Sequence, residues 1–232
     1  MNQSKRRQAV LTIDDGPTEI TTQIVDSLRA KKIRAVMFFP GDKMERRPEV
    51  VKYAIRAGMD IGNHSYSHPY FSELSFDECT KQILRTEVIL NRIYASLASE
   101  GIERRHKLFR FPYGDKGGEH KARLQAFLEE NGFENLALHI VHPWYGAEGL
   151  GRDRDIYWTF DYKDYKIYSP EHEFELADVW TRMAEVLQPG IGNEILLFHD
   201  NEVTNEKYPR YYEQLLHRTE SMGLVFTQAF YQ

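Results

Sequence analysis

The sequence predicts an α/β fold built around a mainly parallel sheet. Apolar runs of strand length alternate with helix-like apolar periodicity from residue 9 to residue 227. No stretch of disordered composition interrupts this alternation. Polar clusters follow the ends of several predicted strands, and in a parallel sheet or barrel those ends converge on one face. We therefore expect these clusters to meet at one site.

The first two predicted strands are short and almost wholly apolar. Residues 9–13 lead into Asp14-Asp15-Gly16-Pro17, and residues 35–39 are stopped by Pro40-Gly41. Between the two strands we expect a helix that is capped by Thr18 and that buries one apolar stripe. The stripe consists of Ile20, Ile24 and Leu28.

Two further helices carry clear start and stop signals. Pro48 suits the first turn of one helix, which Gly58 closes. The longest helix starts at Ser75, with Glu78 three residues on as a capping box, and Gly101 ends it. Its apolar stripe includes Cys79, which we therefore expect in the core rather than at a reactive site.

The rest of the chain continues the alternation. Strands are expected at residues 107–111, 133–141, 157–160, 195–198 and 224–227. Helices are expected around residues 124–128, at 176–186 and at 208–222. Residues 142–154 break the pattern, because they are rich in glycine, charge and aromatic side chains and show no period.

Length and composition limit the classes of protein to which the chain could belong. At 232 residues we expect one domain over residues 1–232. The net charge is −5 and the basic cluster at residues 5–7 is short, which argues against nucleic-acid binding. The single cysteine excludes a disulfide framework and a cysteine zinc site. No apolar stretch approaches the ~20 residues of a membrane span.

The position of the first predicted strand bears on the cellular compartment of the protein. The first predicted strand begins within about ten residues of Met1, which leaves no room for a signal peptide. We therefore expect either a cytoplasmic protein or an exported, cell-envelope protein whose signal has been removed.

Asp14 and Asp15 are adjacent carboxylates at the end of a buried strand, where their charges repel each other. A cation, a proton or an arginine would offset that repulsion, whereas the alternative is an ordinary Asp-Gly-Pro surface turn. His64 and His68, four residues apart, could bind one cation together with a carboxylate, although such pairs also occur at surfaces and in cores. Two histidines and one carboxylate are typical of catalytic zinc and of some iron and manganese sites.

Two further residues could complete a hydrolytic site around such a metal. One aspartate can bind the ion while its neighbour takes a proton from an activated water. Arg110 lies between two phenylalanines and before Pro112, where a buried counter-charge for that second aspartate is more natural than a surface ion pair. His199 follows a predicted strand and can donate a proton to a leaving group if a carboxylate raises its pKa.

Five segments resemble, in the same order, the five motifs of the polysaccharide deacetylases, which form carbohydrate esterase family four. They span nearly the whole chain. The segments are Thr12-Ile-Asp-Asp-Gly-Pro17, His64-Ser-Tyr-Ser-His-Pro69, Arg110-Phe-Pro-Tyr113, Trp158-Thr-Phe-Asp-Tyr-Lys-Asp-Tyr165 and Leu196-Leu-Phe-His-Asp200.

The resemblance implies a metal centre and a base. Asp15, His64 and His68 would bind one divalent ion, with Zn²⁺ as the first candidate and Co²⁺, Ni²⁺ or Mn²⁺ as alternatives. Asp14 would be the general base, and Arg110 would hold it. The family fold is a distorted (β/α) barrel, which agrees with the roughly seven strands expected above.

The resemblance also implies an acid and a substrate pocket. Asp164 would orient His199, the general acid that protonates the departing amine. The backbone N–H of Tyr113 would help to bind the oxyanion, and Leu197 would line the pocket for the acetyl methyl group. Tyr165 stands where the family often has Trp, so the aromatic wall of the substrate pocket is smaller and gains a hydroxyl. Ile13 stands where the first motif of the family more often has Phe, and this buried difference has little effect on the mechanism.

Residues 142–154 have no counterpart among the motifs. They carry Trp144 and Tyr145, and loops at the carboxyl face of a barrel often set specificity. One hypothesis is that either ring forms part of a sugar subsite away from the metal. The alternative is that the rings pack against the end of the barrel.

Three functions are compatible with these residues. The leading hypothesis is a metal-dependent N-deacetylase that acts on N-acetylglucosamine units of a chitooligosaccharide or peptidoglycan-type glycan. A second is an O-acetyl esterase that acts on xylan-like polysaccharide. A third is a glycan-binding module without catalysis on the same barrel. Acetate release, assayed together with amine formation, separates the three.

Overall fold

A sheet of parallel strands forms the frame of the molecule. The computed structural model describes residues 7–136, 143–168, 173–187 and 192–228. The strands are β1 (Gln8–Asp14), β2 (Ala35–Phe39), β3 (Asp60–Asn63), β4 (Phe160–Asp161), β5 (Glu194–His199) and β6 (Val225–Phe226). Their order is β3-β2-β1-β5-β4, with β6 beside the start of β1, and every pairing is parallel.

Strand β1 lies at the centre of the sheet, and its side chains alternate between two environments. Val10 packs in a cluster with Val36 and Phe38, whereas Leu11 and Ile13 pack in a larger cluster with the helices. Because the period of a strand is two residues, Thr12 and Asp14 share the face of Val10. Asp14 is therefore on the inner face at the carboxyl end of the strand.

Most of the helices cover the outer face of the sheet and bury an apolar stripe against it. The helix at residues 121–130 packs in a separate aromatic cluster, and Tyr145 of the helix at residues 143–147 packs in the inner cluster. The bounds of the helices are α1 (Thr21–Ala30), α2 (Gly41–Arg46), α3 (Pro48–Arg56), α4 (Phe76–Leu97), α5 (Lys121–Glu130), α6 (Pro143–Ala147), α7 (Leu176–Val186), α8 (Glu202–Lys207) and α9 (Tyr211–Ser221). The strand–helix alternation predicted from the sequence is thus confirmed, with α2, α6 and α8 as additional short helices.

Residues 107–111 form an extended segment with a single bridge, rather than the predicted regular strand. Asn63 and Phe109 form an isolated parallel bridge, and the Arg110 N–H donates to the Asn63 carbonyl oxygen at 3.1 Å. On the other side, the Ile156 N–H donates to the Phe109 carbonyl oxygen at 2.8 Å. This segment therefore connects β3 to the residues that enter β4 and closes the sheet into a distorted barrel. The six strands of the described residues are close to the predicted seven.

Helix α4 begins as the sequence predicts. Ser75 Oγ accepts from the Glu78 N–H, and Glu78 Oε2 accepts from the Ser75 N–H at 2.9 Å, which completes the capping box. Cys79 is fully buried in a cluster of aromatic and aliphatic side chains, as expected. Gly101 lies after the last turn with a φ of 71°, a conformation that favours glycine.

Three sequence expectations differ from the structure or extend beyond it. Thr18 does not cap α1, because the helix begins later, with Ile20 at the N-cap position; the Thr18 hydroxyl accepts from the Ile20 N–H at 3.2 Å and donates to Asp200 Oδ1 at 2.6 Å. The helix expected at 208–222 begins only at Tyr211, because Arg210 has a φ of 56° and separates α9 from α8. Most of the strand expected at 133–141 lies outside the described residues.

Candidate active site

Asp14 is held in place by a buried ion pair. Its Oδ1 accepts from Arg110 Nη1 at 2.8 Å, and only 3% of Asp14 and 1% of Arg110 are exposed. Arg110 also donates to Thr12 Oγ1 and to the Ile156 carbonyl oxygen, both at 2.8 Å. Burial raises the pKa of Asp14, and the charges of Arg110 and His199 only partly offset that rise. The ion pair therefore fixes the position and orientation of the Asp14 carboxylate.

Asp15, His64 and His68 bring one carboxylate oxygen and two imidazole nitrogens together. Asp15 Oδ1 lies 3.1 Å from His68 Nε2 and 3.6 Å from His64 Nε2, and the three potential ligand atoms lie within 4.8 Å of one another. Burial alone would raise the pKa of Asp15, but the neighbouring imidazoles, His68 first, outweigh it and lower that pKa. Burial lowers the pKa of His64 well below its usual value, which favours the neutral imidazole.

The donor atoms of this set fit a bound cation. His64 Nδ1 lies 2.8 Å from the carbonyl oxygen of Arg110, so Nδ1 carries the proton and Nε2 presents a lone pair. Asp15 Oδ1 is buried and accepts no hydrogen bond from any described residue. The lone pairs of His64 Nε2 and Asp15 Oδ1, 3.6 Å apart, repel each other unless a positive ion lies between them. The composition of the set is that of catalytic zinc sites with three protein ligands.

His199 is paired with a fully buried carboxylate. Asp164 Oδ1 lies 3.0 Å from His199 Nδ1, and Asp164 Oδ2 accepts from the His199 backbone N–H at 3.0 Å. Burial lowers the pKa of His199, but the charge and hydrogen bond of Asp164 outweigh it and raise the pKa to about 10. His199 therefore carries a proton at neutral pH.

All of these groups meet at one cavity of about 450 Å³. Arg110 and Asp164 do not line the cavity themselves. Arg110 is hydrogen-bonded to Asp14 and Asp164 contacts His199, and both of these partners line it. The lining residues are Asp14, Asp15, His64, His68, Tyr70, Tyr113, Trp158, Asp161, Tyr165, Leu197 and His199. Every site residue predicted from the sequence is thus at the cavity or in contact with a residue that lines it.

Three predicted pocket residues surround the charged groups. The Tyr113 ring lies 4.5 Å from the His68 ring, with the two planes at 69°, and 54% of Tyr113 is exposed. The Tyr165 ring packs edge-to-face against His199 at 4.9 Å. Leu197 is buried on β5 two residues before His199, so the two share the inner face of the strand.

The turn that carries the two histidines is held by side chains on both sides. Asn63 Oδ1 accepts from the Ser65 N–H at 2.9 Å, and Ser65 Oγ accepts from the His68 N–H at 3.1 Å. Gln82 of α4 accepts from the consecutive N–H groups of residues 66 and 67, both at 2.9 Å. The spacing of the two histidines is therefore set by the folded turn rather than by a helix.

Gly16 shapes the turn after β1. A Cβ at this position would lie 2.4 Å from Phe39 Cε1 and 2.5 Å from Asp200 Oδ2, closer than real Cβ contacts allow. Glycine is therefore required for the backbone to pass between these side chains directly after the two aspartates.

Sequence reasoning assigned no site role to three of the lining residues. Tyr70 directly follows the second motif, whereas Trp158 and Asp161 lie within the fourth. Asp161 could have been found from its place at the carboxyl end of a strand, three residues before Asp164. No periodic or charge signal singles out Tyr70.

The structure favours packing over sugar binding for Tyr145. Only 3% of this side chain is exposed, and it packs with Val10, Phe38 and Leu108 inside the barrel. Trp144 is half-buried against the same cluster, and neither ring lines the cavity. Residues 143–147 form a short helix, so the described part of the segment is more regular than the sequence suggests.

Comparison with known proteins identifies the family. A sequence profile described as polysaccharide deacetylase matches residues 1–135. This match covers more than half of the 232 residues. The chain belongs to the polysaccharide deacetylase family.

Several curated members of this family are similar to part of the chain. A peptidoglycan-N-acetylglucosamine deacetylase of Bacillus cereus is 40% identical over 111 residues, which are 47% of this chain and 38% of that protein. The peptidoglycan-N-acetylmuramic acid deacetylase PdaC of Bacillus subtilis is 37% identical over 116 residues, 50% of this chain and 23% of that protein. The chain thus matches less than half the length of either relative.

Solved structures of the family share the fold over almost the entire chain. The chitin deacetylase of Colletotrichum lindemuthianum superposes with a TM-score of 0.67 at 24% identity and covers 96% of this chain and 86% of that one. This likeness supports the distorted barrel. Among the described residues, no helix combines the length and apolar character needed to cross a membrane.

Proposed function

We propose that the protein is a metal-dependent deacetylase that hydrolyses the N-acetyl groups of N-acetylglucosamine units in a glycan. The observation that carries this proposal is the single cavity that brings together three groups of different chemistry. These are a carboxylate held by a buried arginine, a set of three metal-ligand atoms and a histidine held by a buried carboxylate. Amide hydrolysis needs a base, an electrophile and an acid at one place.

We assign Asp15, His64 and His68 to one divalent ion, with Zn²⁺ as the first candidate and Co²⁺, Ni²⁺ and Mn²⁺ as alternatives. When bound, the ion supplies Lewis acidity, which activates a water molecule and polarises the acetyl carbonyl. The Arg110 carbonyl oxygen fixes the tautomer of His64, so that its Nε2 is available to the ion.

Asp14 is assigned as the general base. It accepts a proton as the water oxygen bonds to the carbonyl carbon of the acetyl group. Arg110 Nη1 keeps the carboxylate oriented for this transfer. We assign the backbone N–H of Tyr113 as a donor to the oxygen that becomes negative and Leu197 as a contact of the acetyl methyl group, since both residues line the cavity.

His199 is assigned as the general acid. Because Asp164 keeps the imidazole of His199 protonated and oriented, His199 can donate a proton to the amide nitrogen as the C–N bond breaks. The products are acetate and a free amine on the sugar. Asp164 is thus a positioning residue, since it acts on the substrate only through His199.

A peptidoglycan-type glycan is the favoured substrate. The two curated relatives described above are named for N-acetylglucosamine and N-acetylmuramic acid units of peptidoglycan, at 40% and 37% identity. The chitin deacetylase resembles this chain in fold at lower identity, so chitooligosaccharides are the second class to test. A peptidoglycan substrate would place the protein in the cell envelope.

Acetate and primary amine are the products to measure. The purified protein, loaded with Zn²⁺, would be incubated with peptidoglycan fragments, with N-acetylglucosamine oligomers and with acetylated xylan. An N-deacetylase releases acetate and amine in equal amounts from the first two substrates. Acetate without amine, released only from the xylan, would make the protein an esterase, and no acetate from any substrate would refute the proposal.

A further inference from the structure

Tyr70 and Tyr113 form a stacked pair at the cavity. Their ring centroids are 3.9 Å apart and the ring planes differ by 11°. Tyr70 is 46% exposed and Tyr113 is 54% exposed. Among the large apolar side chains of the described residues that are exposed, these two are the aromatic ones, and both line the cavity that holds the metal-ligand set.

The backbone on either side of each ring is anchored in the core. Phe71, directly after Tyr70, is fully buried and packs edge-to-face against Phe111 at 5.1 Å. Pro112, directly before Tyr113, is also buried, and Tyr113 itself has a φ of 58°. Two separate segments are therefore fixed so that their exposed rings meet, and the stack is not a chance arrangement of mobile surface side chains.

The position of the stacked rings beside His68 limits which part of a bound ligand the rings can contact. The Tyr113 ring lies next to the His68 ring, at 4.5 Å, and the Tyr70 ring is stacked on Tyr113. The aromatic surface therefore starts beside a proposed metal ligand and leads towards solvent. A ligand that reaches the metal-ligand set with one unit would place its next unit against this surface.

We propose that Tyr70 and Tyr113 form a sugar-binding subsite that takes the pyranose next to the unit being deacetylated. The C–H groups of a pyranose face form an apolar surface that matches an aromatic ring, and rings already held by each other lose little side-chain freedom on binding. This inference rests on the proposed function, because it assumes a glycan at the cavity. It adds which side chains of this chain contact a second sugar unit of that glycan.

The test compares variants of Tyr70 on substrates of different length. Tyr70→Ala removes the ring, Tyr70→Leu keeps apolar bulk without a flat face, and Tyr70→Phe keeps the ring without the hydroxyl. Val88→Ala is the surface control, since Val88 is 58% exposed on α4 and does not line the cavity. The quantity measured is the ratio of kcat/KM for an N-acetylglucosamine tetramer to that for the monosaccharide.

Tyr70→Ala and Tyr70→Leu should both lower this ratio about three- to tenfold, mostly through KM for the tetramer, as expected for loss of one aromatic contact. Tyr70→Phe and Val88→Ala should keep it. A ratio unchanged in Tyr70→Ala and Tyr70→Leu, or equal losses on both substrates together with a lower Tm, would overturn the subsite.

Calorimetric binding of the tetramer to the metal-free protein separates the subsite from the proposed function. If the wild-type protein is inactive on every substrate, the deacetylase proposal fails. The subsite then still predicts that the tetramer binds more weakly to Tyr70→Leu than to Tyr70→Phe. Equal binding to the two variants would refute the subsite alone.

Discussion

At the scale of the single residue, Arg110 lowers the pKa of Asp14 and orients its carboxylate. Its guanidinium lies over the Phe38 ring, with the central carbon 4.4 Å from the ring centroid. Its Nη1 donates hydrogen bonds to both Thr12 Oγ1 and Asp14 Oδ1. A buried carboxylate without this partner would be driven toward its neutral form. The arginine therefore lowers the pKa that burial raises and keeps the Asp14 carboxylate oriented.

Replacing Asp14 by Asn should abolish proton transfer while leaving the shape of the side chain. General base catalysis contributes typically ~10²–10⁴-fold, and we expect a loss of kcat in that range. Metal content and Tm, measured alongside, should stay close to those of the wild-type protein. Asp153→Asn is a matched control, because Asp153 pairs with Lys116 and does not line the cavity. Near-normal turnover in Asp14→Asn would remove this residue from the mechanism.

The pH dependence should report the pair formed by His199 and Asp164. An acid works only below its pKa, so kcat/KM should fall as pH rises through a limb set by His199, whose pKa is raised to about 10. Asp164→Asn removes the largest raising influence, so burial, which lowers that pKa, is then opposed only by the charges of Asp15 and Asp161. The alkaline limb should therefore move to lower pH, with a loss of about 10–100-fold near neutrality. A limb that stays in place in this variant would contradict the assignment.

The charged residues of the site could be predicted from the sequence, whereas its aromatic surface could not. Asp14 and His199 are the last residues of their strands and His64 directly follows one, and parallel strand ends meet at one edge. Tyr70 follows a proline outside any strand, and its exposure depends on Tyr113, 43 residues later in the chain. A contact between two loops leaves no local pattern in a sequence.

At the scale of elements, α4 supports the turn that carries His64 and His68. Gln82 accepts from two consecutive backbone N–H groups of that turn and donates from Nε2 to Ser67 Oγ at 3.0 Å. Glu87, about one and a half turns further along the same helix, accepts from Asn63 Nδ2 at 2.9 Å. One rigid helix thus fixes both ends of the segment.

Gln82→Ala should weaken metal binding without unfolding the protein. The N–H groups of residues 66 and 67 would lose their acceptor, and changes behind a metal ligand typically cost about 10–100-fold in affinity. The dissociation constant for Zn²⁺ can be measured by competition with a chelating dye. Gln82→Glu keeps the acceptor oxygens and should bind metal more tightly than Gln82→Ala, while Lys81→Ala serves as a control on the same helix. Equal Zn²⁺ affinity in Gln82→Ala and wild type would show that α4 does not position the ligands.

Elements with local signals were predictable, and those set by distant contacts were not. The capping box at Ser75 and the proline at the start of α3 define helix starts within a few residues. Thr18 is a residue type that often caps helices, but the N-cap position of α1 is Ile20, and the Thr18 hydroxyl donates to Asp200, 182 residues away in sequence. The segment 107–111 has strand composition, but it makes only one bridge and ends at Pro112, which has no N–H to donate.

At the scale of the molecule, closure of the barrel brings the site together. The register places Asp14 beside His199 on β5, and the segment at Arg110 completes the ring between β3 and the entry to β4. Groups from five separated parts of the chain therefore surround one cavity. The sequence predicts that they converge, but the closure itself depends on register and on irregular hydrogen bonds that no periodicity encodes.

The most direct test of the central claim is a metal titration of the wild-type protein and of a His64→Ala, His68→Ala double variant. Metal bound per chain and acetate released from N-acetylglucosamine oligomers would be measured on the same samples. The wild-type protein should bind one Zn²⁺ per chain, with acetate release rising in proportion to occupancy, and the double variant should lose both. A full equivalent of metal in the double variant, or acetate release from metal-free wild-type protein, would contradict the account.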